Sequence, residues 1–316
     1  MGPYSGGFFI KNTFFSHFLP QNPTIVNNFS PEKEKARKTR PSSKPNPHKG
    51  ECVSLPDNYN LMSEPVQEGK FEYLQEGTGH PIIFLHGLMG TLSNFQEQAD
   101  HFSKGGYQVT VPLLPLYSMP LATTSVKSLT KFVRDFVDHK GYEKVILVGN
   151  SLGGHIGLMF QKMYPQRVTG LVLTGSSGLY EAAMGNTYPR RGDRSYIAER
   201  VRDVFHVKDV ATEELIDNVF EIVNDRNKAI RTLAISKSAI RHNMAEELPS
   251  FNVPVCLIWG RQDLVTPPEV AVKFDELLPD SELHWLDECG HAAMMERPKE
   301  FNQIVSEWLD RISPKA

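Results

Sequence analysis

From about residue 70 onward the sequence predicts an α/β fold, with a mostly parallel central sheet flanked by helices and a helical insertion. Three observations predict it. Short apolar runs alternate with segments of helical period, the pattern of repeated strand–helix–strand units. The central runs are continuous Val, Ile and Leu, as in parallel strands covered on both faces. The alternation then breaks between about residues 178 and 250, where no strand pattern occurs.

In chain order, strands are predicted at 71–74, 81–85, 107–111, 144–148, 168–173, 255–259 and 282–286. Helices are predicted at 92–102, 125–139, 152–164, 268–277 and 298–312. In the second helix Val126, Leu129, Val133, Phe136 and Val137 recur at helical spacing and form one apolar face. The insertion shows helical patterns near 196–205, 213–223 and 229–244, punctuated by Tyr188-Pro189 and Arg191-Gly192-Asp193. The predicted division is a core of residues 62–178 and 251–316 with a helical cap at 179–250. The insertion is expected to serve as a lid over a site; a peripheral helical subdomain is the alternative.

Residues 1–61 read differently. Phe8, Phe9, Phe14, Phe15 and Phe18 follow no clean period, and residues 31–50 are rich in Lys, Arg, Pro and Ser. Such a composition buries too little surface to order itself. A disordered tail is one reading. A translation start at Met62, with residues 1–61 as upstream sequence, is another. A targeting peptide is the third, although Lys11 and Asn12 interrupt an apolar core and no small-residue cleavage site follows.

Composition narrows the function classes. A net charge of −3 argues against a nucleic acid or membrane-surface partner over the whole chain. No apolar run reaches the length of a membrane span. Cys52, Cys256 and Cys289 are scattered and form neither a disulfide framework nor a C-x-x-C pair, which suits a reducing, cytoplasmic compartment. A small-molecule substrate is the expected partner; oligomeric state is left open.

The chemistry concentrates in Gly149-Asn150-Ser151-Leu152-Gly153-Gly154, between the apolar run 144–148 and a helical run beginning at Leu152. A serine in a sharp strand–helix turn needs small neighbours two residues either side, because strand and helix backbones approach there. The turn lifts the hydroxyl from the sheet and aims the Leu152 amide at the same point. A glycine-rich turn with an incidental serine shares the pattern, so partners decide. A serine hydroxyl needs a base. His291, in Glu288-Cys289-Gly290-His291, follows the last predicted strand, at the strand ends where parallel sheets build their sites. A base needs an orienting acid. Asp263 follows the strand at 255–259, with Asp287 as a rival. Donors for a developing oxyanion are the amides of Leu88, in His86-Gly87-Leu88-Met89-Gly90, and Leu152. His86 reads as a structural hydrogen-bonder. His155 reads as a surface or packing residue, with a direct role as the alternative.

These motifs, with Gly260-Arg261-Gln262-Asp263 and Glu296-Arg297-Pro298, resemble the α/β-hydrolase superfamily over about residues 70–312. The resemblance implies an eight-stranded sheet, a helical cap and a serine hydrolase with catalytic Ser151, Asp263 and His291, needing no cofactor and no metal. Asn150 and the cap placement are similar to the branch containing C–C hydrolases of meta-cleavage products and related esterases, and residues 86–94 look more like small-acyl esterases of the same superfamily. Ala292 stands where C–C hydrolases often carry Trp, and Pro112 to Pro120 departs from the family's Pro-Gly-His-Gly type turn. A serine at the elbow argues against the carboxylate chemistry of haloalkane dehalogenases and epoxide hydrolases.

The expected activity is hydrolysis of carboxylic esters with small or medium acyl groups. Met89, Leu179, Met184 and Met294, with Met159, are candidates for an apolar acyl pocket, ordinary core packing being the alternative for each. A C–C hydrolase of 2-hydroxy-6-oxo-dienoate type is the second hypothesis; its substrate carboxylate would need a cation, for which Arg190, Arg191 and Arg194 are candidates. A hydrolase-fold ligand receptor is the third.

Overall fold

The computed structural model describes residues 64–180 and 190–312. The expectations for residues 1–61, Cys52 and Met184 lie outside the described residues. Eight strands form one sheet: β1 (Val66–Glu68), β2 (Phe71–Glu76), β3 (His80–Leu85), β4 (Tyr107–Pro112), β5 (Val145–Asn150), β6 (Val168–Thr174), β7 (Val255–Gly260) and β8 (Ser281–Leu286). Their order is β1-β2-β4-β3-β5-β6-β7-β8. The β1–β2 and β2–β4 pairs are antiparallel and all others parallel. The eighth strand, β1, escapes prediction because its three residues, Val-Gln-Glu, are half-buried or exposed and carry no apolar run. It is paired to β2 by a hairpin through Gly69, whose φ of 59° suits glycine.

The apolar strands are covered on both faces. Ile83 and Leu85 of β3 join a core cluster with the buried side of α2 (Val126–His139) and α3 (Leu152–Met163). Phe84, pointing the other way, meets Phe95 and Phe102 of the 92–104 segment. Val126, Leu129, Val133, Phe136 and Val137 are all buried, as their spacing predicts. Ser125 caps this helix, its Oγ accepting from the Ser128 amide at 3.2 Å.

Two helical boundaries differ from expectation. The predicted helix at 92–102 divides into a 3-10 turn (Leu92–Phe95) and α1 (Gln96–Lys104). The Asn94 side chain accepts from the Thr91 amide at 2.7 Å and ties off the first turn. In the insertion, α4 (Arg194–Asp203), α5 (Glu213–Asn224) and α6 (Arg226–Arg241) begin at the caps Asp193, Thr212 and Asp225. Asp225 starts α6 one turn ahead of its apolar pattern. The last two helices before the C-terminus of the described chain are α8 (Ala293–Glu296) and α9 (Pro298–Ile312), preceded by α7 (Pro268–Leu277).

The order of strands reverses at β3: β4 lies on one side of it and β5 on the other. Loops leaving β3 and β5 therefore part in opposite directions and leave a crevice at the strands' C-terminal ends. Leu85 pairs with Gly149 there, which sets the turn after β3 beside the turn carrying Ser151. Among the described residues no helix is long and apolar enough to cross a membrane.

Candidate active site

Ser151 joins β5 to α3 with φ 54° and ψ −118°, a backbone geometry that costs a residue bearing a Cβ about 1–3 kcal/mol. The surroundings enforce it. The Ser151 amide donates to Thr174 O at 3.1 Å, and its carbonyl accepts from His155 N at 3.2 Å and Ser177 N at 3.1 Å. A Cβ on Gly149 would sit 2.4 Å from the Gly153 backbone; one on Gly153 would sit 1.9 Å from Leu85 O. Gly154 shares the constraint, 2.3 Å from Ser176 Oγ. Leu152 is the first residue of α3, so its N–H has no intrahelical acceptor and points with the helix's positive end toward the turn.

The neighbouring turn is built around His86, which is fully buried. Its Nε2 accepts from the Leu114 amide at 3.0 Å, so Nδ1 carries the proton and donates to Gly87 O at 2.9 Å. Burial pushes its pKa down to about 4. His86 is thus a neutral brace between two loops. Leu88 and Met89 (φ 62°) project from the braced turn into the crevice.

His291 Nδ1 donates to Asp263 Oδ2 at 2.9 Å. Asp263 Oδ1 also accepts from the amides of Val265 at 2.8 Å and Thr266 at 3.0 Å, and Oδ2 from Thr266 Oγ1 at 2.8 Å. With its side chain wholly inaccessible, the carboxylate has one orientation. The rival Asp287 faces solvent and pairs with Arg261 at 2.7 Å. The loop bearing His291 is held at successive residues. Gln262 N donates to Cys289 O at 2.9 Å, and Cys289 N to Gln262 Oε1 at 3.0 Å. Asn150 Nδ2 donates to both Thr174 O and His291 O at 3.1 Å, locking the serine turn to the histidine loop. Cys289 is buried, and burial raises its thiol pKa.

Ser151 and His291 open on one cavity of about 140 Å³. Leu88, Met89, Ala292, Met294 and Met295 line it from the core, and Val201, Val204, Phe205, Leu215 and Val219 from the insertion. Of the pocket candidates, Met89 and Met294 are in the wall. Leu179 is not: it packs against the main core cluster, and its carbonyl accepts from Asn243 Nδ2. Met159 is likewise core. The insertion's contribution was hidden in the sequence, although the four-residue spacings of Val201–Phe205 and Leu215–Val219 are those of one helix face. Arg190 and Arg194 are engaged at the surface, with Asp193 at 3.8 Å and with Asp217 and Glu213 at 2.6 and 2.8 Å. Arg191 is exposed. None of these three lines the cavity; Arg200 does, with its guanidinium paired to Glu199 at 2.8 Å and Asp203 at 3.0 Å.

His155 is a packing residue, not on the surface and not part of the cavity wall. Fully buried on α3, it donates from Nε2 to His242 O at 2.8 Å, fastening the end of α6 to the helix that follows Ser151. Burial pushes its pKa down to about 4. Buried neutral histidines bind fewer protons folded than unfolded, so stability is full above pH 6.5 and declines as pH falls toward 4. His155 accounts for up to about 3 kcal/mol of that loss. Melting temperature is therefore expected to fall between pH 7 and 4.5, and His155→Gln, which keeps a donor but does not titrate, to flatten the fall. An unchanged slope would refute the assignment.

The matches to known proteins agree with this architecture. A model of the alpha/beta hydrolase fold matches residues 80–204 and 222–298. The chain is similar to a 2-hydroxy-6-oxononadienedioate/2-hydroxy-6-oxononatrienedioate hydrolase of Pseudomonas sp, with 30% identity over 79% of this chain and 95% of the relative. It is also similar to a 2-hydroxy-6-oxo-6-phenylhexa-2,4-dienoate hydrolase of Burkholderia cepacia, with 26% identity over 74% of this chain and 88% of the relative. Among solved structures, MGS-MChE2, an alpha/beta hydrolase enzyme from the metagenome of lagoon sediments at Mar Chica, Morocco, is 51% identical. That match has a TM-score of 0.67 and covers 79% of this chain and 99% of the other.

Proposed function

This chain belongs to the alpha/beta hydrolase fold family, and on that premise we propose that it is a serine hydrolase of carboxylic esters with small or medium acyl groups. The observation that carries the reading is the shared cavity of Ser151 and His291, with His291 held by Asp263 at 2.9 Å. Ser151 Oγ attacks the acyl carbon as His291 Nε2 takes its proton. Asp263 keeps the Nδ1–H tautomer and stabilises the imidazolium. The amides of Leu88 and Leu152 receive the negative charge on the acyl oxygen. His291 returns the proton to the departing alcohol. Water then repeats the sequence on the acyl-enzyme, releasing the acid and free Ser151. The helical insertion acts as the cap: it supplies half of an apolar wall suited to an acyl chain.

Cavity size and charge favour short esters. A space near 150 Å³ holds about one benzene ring. Turnover of 4-nitrophenyl esters is expected to peak between acetate and hexanoate. A peak at dodecanoate, or no ester turnover, would overturn the reading.

C–C hydrolysis of a 2-hydroxy-6-oxo-dienoate is the second reading, favoured by the names of the Pseudomonas and Burkholderia relatives. Against it, Arg200 is the one Lys or Arg among the cavity's described wall residues, and its guanidinium already pairs with Glu199 and Asp203 through both NH groups. Decay of the dienoate chromophore faster than ester release would reverse the order of the two readings.

A further inference from the structure

The side chain of Glu296 is buried at the end of α8, outside the cavity wall and untouched by the mechanism above. Its two oxygens divide between two parts of the molecule. Oε1 accepts from the Gly290 amide at 3.0 Å, one residue before His291. Oε2 accepts from the amides of His206 at 2.8 Å and Val207 at 3.0 Å, in the insertion just after α4. A second link runs in parallel, from the His291 amide to Val204 O at 3.0 Å. A Cβ on Gly290 would sit 2.7 Å from His206 N and 2.8 Å from Val204 O, so the two backbones are in direct contact around the carboxylate.

We propose that Glu296 is a positioning residue that makes the seating of the insertion and the placement of His291 a single event. The argument is one of inventory. Three convergent amides, buried together, need an acceptor with several lone pairs, and one carboxylate provides it. The segment it holds on the insertion side, Val204 to Val207, includes two cavity wall residues, Val204 and Phe205. The segment on the other side carries the base. A substrate that presses on Val204 or Phe205 therefore also acts on the backbone of His291, through the shared hydrogen bonds and the backbone contact at Gly290. This inference rests on His291 acting as the base.

Two substitutions in the full chain test it. Glu296→Gln keeps the shape but presents an NH2 group where one set of amides needs an acceptor. Val207→Pro removes a single amide donor from the insertion side, at a φ of −80° that proline tolerates, and leaves Glu296 and the histidine loop intact. For Glu296→Gln, kcat on 4-nitrophenyl butyrate is expected to fall about 10- to 100-fold with KM within about twofold, as for a displaced catalytic group. Amide hydrogen exchange is expected to accelerate together in 204–208 and 288–292, by about tenfold or more, with β5 unaffected. Val207→Pro should accelerate the same two segments by a smaller factor. Acceleration in one segment alone, or kcat within about twofold of the parent, would overturn the proposal. Should Glu296→Gln not fold, unchanged exchange at 288–292 in Val207→Pro overturns it. The exchange readout needs no turnover: if Ser151→Ala remains active, the catalytic reading fails while the coupling is still judged on exchange.

Discussion

Ser151→Ala is expected to lower kcat/KM on short esters by about 10⁴- to 10⁶-fold while leaving the fold intact. The large effect follows from the proposed mechanism: without Oγ no acyl-enzyme forms, and His291 has no proton to take. The small effect on stability follows from how the turn is held. The hydrogen bonds to Thr174, His155 and Ser177 all use the Ser151 backbone. Alanine carries the same Cβ at the same φ of 54°, so the strain is neither relieved nor increased. Circular dichroism and a melting curve would show a parent-like protein, and burst kinetics with a 4-nitrophenyl ester would show no burst of 4-nitrophenolate. Residual turnover above about 1% of the parent would exclude Ser151 as nucleophile.

Gly153→Ala is expected to destabilise the protein by more than about 3 kcal/mol, or to abolish soluble expression. The added methyl would lie 1.9 Å from Leu85 O and 2.9 Å from His86 O, both backbone atoms of the β3 end and its turn. No rotamer change relieves a clash between backbone and Cβ. Helix α3 would have to withdraw from β3, taking the Leu152 amide away from the turn that bears Leu88. Gly157→Ala, one turn further along the same helix, is the control. There the new Cβ meets Leu171 Cδ2 at 3.8 Å and Leu147 Cβ at 4.0 Å, ordinary contact distances. Alanine's higher helix propensity should make that change neutral or stabilising by up to about 1 kcal/mol. Equal melting temperatures for the two variants would show that close approach at Gly153 is not what the elbow requires.

The contrast between Gly153 and Gly157 also marks how far the sequence could be read. Gly153 is identifiable as a close-approach glycine because it stands two residues after a serine between a strand pattern and a helix pattern. Gly157 lies in the same helix and no local pattern separates it from a constrained glycine; only the distance to β5 and β6 does. The same holds for the histidines. His291 is legible from its position after the last strand. For His155 the sequence leaves surface, packing and site open, because its partner, the carbonyl of His242, lies 87 residues away in sequence; packing is what the structure shows.

By itself the sequence determined the alternation of strands and helices, the strand ends that carry Ser151, Asp263 and His291, and the turn in which the serine sits. Those follow from periodicities and steric demands acting over a few residues, which a linear chain displays. Tertiary structure alone decided three things: that Leu179 leaves the cavity wall, that Arg200 enters it, and that Glu296 joins insertion to histidine loop. Each depends on contacts between elements far apart in the chain, where strand order, sheet twist and helix packing fix distances that no local pattern encodes.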